Sequence, residues 1–344
     1  MPDAPLNPES FAEHIRSRPG MFIGGTGDRA LRHTLVDLIL EILPFASLKD
    51  VRLVIESPLE ATLFFAGDIP PKTADRLVAG SVPSMEYLNG LSIASAVCER
   101  LEITYTQDGS RFQRAVSSRG LPSPLEVVRA RSSPGLFIRA RFDPDIFAKD
   151  ASLSFFALCG RVQEISVFNP LIAFAVDDPR RGLHRDYRYP EGLRSYIEEI
   201  AFDTFSLSKW AGKHPNGPDL YSFHVREGKE SAEAYIYTGS ASGPLVQTFA
   251  NGLRTTDHGS HFDGLRRGFS DILKAVDPDL FKFRAEHGFD IFDDSVVLLA
   301  VNLLAPEYRG STKSQLGGSR PEEMVYRMVT SQLPDQLQER MKSP

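Results

Sequence analysis

The sequence predicts an α+β protein of two domains, and three observations carry that expectation. Short runs that alternate apolar and polar residues, at 50–56 and 61–66, have the period of half-buried strands. A longer run, 29–45, places Leu31, Leu35, Leu38, Ile39 and Ile42 at helical spacing. Both kinds of run recur along 344 residues, 42% of them hydrophobic, enough chain for two separate cores.

The elements follow in order. Residues 8–18 are a short amphipathic segment closed by Pro19, and Gly20, Gly24, Gly25 and Gly27 mark a loop. After the helix at 29–45, Ser57-Pro58 separates the first two strands. Residues 86–100 read as helical, 101–107 and 111–116 as a hairpin around Asp108-Gly109, and 135–142 as a strand. A helix is expected over 151–165, with strands at 166–176 and 184–189 bracketing the turn from Asp177 to Gly182. A loop-rich joint at Tyr189–Gly192 precedes a helix at 192–205. A second αβ segment then has strands near 219–227 and 232–239, a helix at 260–275, a strand at 295–304 and a helix at 320–340. The expected domains are 1–208 and 209–344, with Trp210 at the joint.

Formal net charge is −6, which disfavours general DNA binding, because non-specific DNA affinity comes from Lys and Arg displacing counterions. Arg254, Arg266 and Arg267 are the candidates for a local basic patch. Cys98 and Cys159 have no metal-like spacing and lie in apolar, helical stretches, as small buried hydrophobes do. No signal-peptide pattern and no spanning apolar run is present, so a cytoplasmic protein without a membrane segment is expected. The eight histidines show no paired metal spacing, although His258 and His261 with Asp257 and Asp263 form a weak candidate. No GxSxG-type nucleophile signature occurs.

One stretch points further. Residues 14–33 contain RPGMFIGGTG followed by Leu31-Arg32-His33. This resembles the segment "RKRPGMYIGSTG…LHH" that opens the ATPase domain of DNA gyrase B and its topoisomerase IV counterpart. Weaker similarities follow in the right order: Leu101-Glu102-Ile103 with Asp108-Gly109 and Arg114; Asp143–Phe147; Arg161–Asn169; Tyr189–Leu193; Thr248–Thr255; Gly259–Leu265; Glu307–Gly317. The resemblance implies a GHKL (Bergerat) ATPase-like α/β sandwich followed by a transducer domain like the second domain of ribosomal protein S5. It assigns His261 a structural role in the transducer. The family's acidic Toprim segment has no counterpart, so the expectation is not a topoisomerase acting alone.

The resemblance also says where chemistry should be, and there the chain departs from it. The general base that activates water falls on Leu38, and the Mg²⁺-holding Asn one turn later falls on Ile42. Asp37 and Glu41 are each one residue early, about 100° around the helix. With Ile69-Pro70 fixing the alignment, the adenine-binding Asp falls on Phe64, whose ring is expected to fill the adenine slot. The Gly-rich lid, whose backbone N–H groups wrap phosphates, is reduced to Gly90, with Tyr87 at the lid His. Leu136 replaces a strand Thr. Arg114 matches a pocket-edge Arg, and Thr312-Lys313 matches the loop that reaches the γ-phosphate.

The expectation is therefore a catalytically inactive relative of the gyrase B ATPase–transducer module, acting through a protein partner: gyrase, topoisomerase IV, or itself as a dimer. Neither cofactor nor direct DNA binding is expected. The alternative is a divergent ATP-hydrolysing enzyme that binds ATP and Mg²⁺ using Lys313, Thr312, Arg114, Gly90 and Asp37 or Glu41. A third possibility is that the apolar pocket takes another small molecule.

Overall fold

Apolar residues at helical spacing and well-placed prolines set the first elements. The computed structural model describes residues 8–45, 47–68, 70, 90–107, 111–122, 126–128, 135–206, 220–238, 243–309 and 313–342. Helix α1 (Pro8–Ser17) stops short of Pro19, which opens the single turn α2 (Pro19–Phe22). Helix α3 (Asp28–Ile42) has Asp28 in its first turn, where the helix dipole favours a negative charge, and runs into a 3₁₀ turn at Leu43–Phe45 containing Pro44. Its buried residues include Leu31, Leu35, Leu38, Ile39 and Ile42, the stripe read from the sequence.

Strands β1 (Ser47–Ser57) and β2 (Glu60–Asp68) form a hairpin across Pro58-Leu59. After α4 (Gly90–Val97) come β3 (Cys98–Gln107), β4 (Arg111–Ser118), the short β5 (Leu121–Pro122) and β6 (Glu126–Val128), and β7 (Gly135–Phe142). Helix α5 (Phe155–Val167) starts after Ser154, whose hydroxyl accepts the Ala157 N–H as an N-cap; β8 (Ala173–Asp178) and β9 (Leu183–Tyr187) close the set. The strands make one sheet in the order β5-β4-β3-β7-β2-β1-β8-β9, with β6 on β4. Along β7, Leu136, Ile138, Ala140 and Phe142 are buried while Phe137, Arg139 and Arg141 are exposed. That alternation gives the sheet one core face and one open face.

Two expectations change here. Cys98 begins β3 instead of ending a helix, and it is buried as expected. Residues 166–172 are the end of α5 and a turn, so β8 starts at Ala173.

The second unit opens with α6 (Leu193–Ser206), followed by β10 (Leu220–Glu227), β11 (Glu230–Thr238), β12 (Leu245–Ala250) and β13 (Leu253–Arg254). Then come α7 (Ser260–Val276), α8 (Pro278–Glu286), β14 (Ser295–Asn302) and α9 (Ser319–Lys342). The sheet order is β10-β11-β14-β12-β13, and β12 lies parallel to β14. Parallel neighbours require a crossover, which α7 and α8 supply. The β12–β13 hairpin turns on Asn251-Gly252, both at positive φ (51° and 74°), the backbone a type I′ turn needs.

The chain clusters as Met1–Arg188 and Tyr189–Pro344, dividing earlier than 208. Helix α6 packs on β11 and β14 and so goes with the second sheet. Residues 207–219, including Trp210, lie outside the described residues. No helix among the described residues is long and apolar enough to cross a membrane.

Candidate functional site

Helix α3 carries both positions at which catalysis is expected by resemblance. Leu38 is 0% exposed and Ile42 1%, and both belong to the first unit's core cluster. Neither side chain has an atom that can take a proton or bind a cation. They sit on the stripe that α3 turns inward, so the spacing that makes the helix amphipathic also puts them in the core.

The flanking carboxylates are not free solvated groups. Asp37 lies 3.3 Å from His33 Nε2, one turn back. Glu41 Oε2 accepts the backbone N–H of Leu91 at 2.8 Å, at the first turn of α4. A helix N-terminus presents unpaired N–H groups and a partial positive charge, which suits an anion. Here the anion is the protein's own glutamate. Gly90 has a separate reason to be glycine: a Cβ there would come within 3.1 Å of Asp37 Cβ and 3.2 Å of Glu41 Oε2. The close approach of α4 to α3 accounts for Gly90 without a phosphate. Tyr87, three residues earlier, lies outside the described residues. Nothing in the sequence pattern links Glu41 to Leu91 across 50 positions.

The strand expectation needs correcting at Phe64. On β2 the buried residues include Ala61, Leu63 and Phe65, so Phe64 turns to the opposite face. There its ring packs on Phe137, with centroids 4.6 Å apart. Phe65, 0% exposed and in register with Leu136, is the aromatic on the core face. The register slips between Leu48 and Asp50, opposite Gly67, whose φ of 148° and 2.3 Å Cβ approach to the Ser47 carbonyl oxygen exclude a side chain. The extra residue of this bulge is Lys49 on β1, so the alternation along β2 is unbroken from Ala61 to Phe65; Ile69 itself lies outside the described residues. Leu136 lies in the core as expected.

The residues on either side of the RPGMFIG stretch are tied to the scaffold. Arg16 donates to Asp143 Oδ2 at 2.7 Å and to the Ala96 carbonyl at the end of α4. Arg119 Nε lies 3.0 Å from the same carboxylate. Burial alone would raise the Asp143 pKa, but the Asp145 N–H and Arg16 outweigh it and hold the carboxyl below its ordinary range. Ala148 N–H donates to the Thr26 carbonyl and Ser152 N–H to Asp28 Oδ1, joining the glycine loop to the segment before α5.

Arg114 lies in β4, opposite Thr104 of β3 and Glu126 of β6. In the second unit Thr312 lies outside the described residues. Lys313 is exposed with φ 55°, and its Nζ sits 5.9 Å from the Tyr308 ring centre. Its loop is anchored by Leu316, which exchanges backbone hydrogen bonds with His258 and Ser260. Gly259 permits this approach, since a Cβ would lie 2.0 Å from the Leu316 carbonyl oxygen.

Thr248 and Thr255 hydroxyls bond to each other at 2.7 Å, with His258 Nδ1 on the first and His261 Nε2 on the second. Burial pushes His261 down to about 3, so it stays neutral in the core. No group of three or more His, Cys, Asp and Glu able to hold a metal occurs among the described residues. The basic-patch candidates are largely spent: Arg266 pairs with Asp290 and Arg267 with Glu322. A hollow of about 270 Å³ lies among Glu60, Arg100, Glu102, Arg139 and Arg141; Arg139 and Arg141 place it on the open side of the first sheet, away from Leu38.

Comparison with known proteins agrees with this architecture. A family model described as DNA gyrase B matches residues 192–343. The chloroplastic/mitochondrial DNA gyrase B protein of Oryza sativa subsp. japonica is 26% identical over 94% of this chain and 48% of its own length. The chain spans about half the length of that relative. The crystal structure of the B-subunit of the DNA gyrase from Myxococcus xanthus superposes with a TM-score of 0.76 at 20% identity, over 95% of this chain and 96% of that one. The 43K ATPase domain of Thermus thermophilus gyrase B, in complex with an aminocoumarin, gives 0.71 at 18% identity, over 96% and 91%. The fold is the GHKL-type α+β fold of these ATPase regions, and the chain resembles the N-terminal region of gyrase B.

Proposed function

We propose that this gyrase-B-like chain is a catalytically inactive ATPase–transducer module. It works in the cytoplasm by binding a protein, and a type IIA topoisomerase is the partner whose activity it modulates. The observation that carries the reading is the burial of Leu38 and Ile42, the residues that the resemblance puts where base and metal ligand are expected. A Mg²⁺–nucleotide does not fit this donor set. Magnesium requires oxygen ligands in near-octahedral array, and these two side chains offer none. Of the two carboxylates flanking these positions, Glu41 is held on the Leu91 N–H and Asp37 pairs with His33. Phe65 and Leu136 add apolar bulk on the sheet side of the same core.

Titration calorimetry of the full chain with Mg-ATP, and separately with an aminocoumarin, tests this. The expected result is no heat of binding at millimolar nucleotide and none with the drug. Micromolar uptake of ATP would overturn the inactive reading and favour the divergent ATPase.

A further inference from the structure

We propose that α8 and the loop after it form a docking site for a basic, amphipathic helix of a partner protein. The proposal rests on the reading that the chain works by binding a protein, and it gives that binding a surface.

Helix α8 has no buried residue. Nine-residue helices are marginal in water and normally persist by burying an apolar stripe. This one instead shows Leu280 and Phe283, 42% and 51% exposed, beside Phe289 at 51% and Val276 at 54%. The rings are already arranged. Phe283, His287 and Phe289 form a triangle of rings, with centroids 4.3, 6.3 and 6.4 Å apart. The backbone around them is pinned. Asp277 caps the Leu280 N–H, Phe289 N–H donates to the Arg284 carbonyl, and Arg284 donates to the Asp290 carbonyl at 2.5 Å. An apolar knob held rigid in water loses little entropy on binding, and exposed aromatic groups are the usual anchors of protein interfaces.

Charge selects the occupant. Residues 277–294 carry Asp277, Asp279, Glu286, Asp290, Asp293 and Asp294 against Lys282, Arg284 and the Arg266 that pairs with Asp290, a net −3 within a chain of net −6. A nucleic acid or an anionic lipid surface would be repelled. A second copy would bring two acidic rims together, which opposes self-association. A helix with an apolar stripe flanked by Lys and Arg satisfies both the rings and the rim.

The test uses a synthetic Leu/Lys amphipathic helical peptide and a Leu/Glu peptide of the same pattern, each labelled and titrated against the full chain by fluorescence anisotropy. The Leu/Lys peptide is expected to bind saturably at one site, more weakly as salt rises, and the Leu/Glu peptide not to bind. The double variant Phe283→Ser, Phe289→Ser should weaken binding about tenfold or more with an unchanged circular dichroism spectrum. Should that variant misfold, Asp279→Lys with Glu286→Lys replaces it and should weaken binding of the Leu/Lys peptide. Equal affinity for the two peptides, or affinity indifferent to both sets of substitutions, would overturn the proposal. So would a wild-type dimer in light scattering that Phe283→Ser, Phe289→Ser dissociates. Mg-ATP calorimetry on the same sample reads the pocket separately, so failure of the docking site and failure of the inactive-pocket reading are distinguishable.

Discussion

Leu38 has no contact with water, and its replacement separates a filled core from an open cleft. Leu38→Ala should cost about 2.7–5 kcal/mol in urea unfolding, the range for a leucine deleted from a packed interior. Leu38→Glu should cost more, since its carboxylate would be buried without a partner. A Leu38→Glu protein as stable as wild type would mean that water reaches the site. On β2 the two phenylalanines should part company. Phe65→Ala should lose about 3–5 kcal/mol, and Phe64→Ala clearly less, because its ring packs on the partly exposed Phe137. Equal losses would refute the strand orientation. Residue identity makes Leu38 and Ile42 readable, since a helix keeps its phase through fifteen positions. Phe64 is misplaced by sequence reasoning because the motif match names a residue and not the face of the strand it takes, which the alternation of Ala61, Leu63 and Phe65 sets.

At the scale of elements, alternation and helical spacing expose most of the fold, including both strands of the β1–β2 hairpin and helices α3, α7 and α9. Of the elements that escape, two have plain physical reasons. Strand β12 is buried along its last four residues, as strands parallel to a neighbour commonly are, so it has no alternation to detect. Helix α8 has no core face, hence no stripe directed at one. The α4–β3 boundary is hidden because no Gly or Pro separates Val97 from Cys98. The β8–β9 hairpin offers a pH test. His184 bridges Asp177 at 2.6 Å and Asp186 at 2.7 Å, and these hydrogen bonds raise its pKa above 6.5, Asp177 contributing most. A pKa raised by folding means the bridge stabilises the protein fully below the unfolded value and fades as pH rises through the folded one. NMR titration should find His184 above 6.5, and His184→Gln should flatten the stability profile over that window. The gain is small, because the ring is half exposed and screened by water.

For the whole molecule, the sequence tells more about scaffold than about purpose. The order of motifs identifies the architecture, whereas the internal cap of α4 by Glu41 depends on a contact no local pattern encodes. Ligand-linked stability gives a global measurement. A nucleotide present at about a thousand times its dissociation constant would add about 4 kcal/mol. Thermal unfolding in millimolar Mg-ATP should instead match that without nucleotide, and an upward shift would count against the inactive reading. Asp143 contributes to the acid stability of the first unit. Its lowered pKa means its contribution is present above the unfolded value and is lost as pH falls through the folded one, so Asp143→Asn should bring the acid transition to higher pH.

Leu38, Ile42, Phe65 and Leu136 share one buried cluster, and that has an evolutionary consequence. A polar side chain returned to any one of them would find apolar neighbours and no partner, at a cost in folding and with no gain in activity. Each substitution therefore obstructs reversal of the others. If the pocket is inactive as proposed, ATPase chemistry could be installed only through several simultaneous changes, together with release of Glu41 from α4, so the set of substitutions would behave as a ratchet.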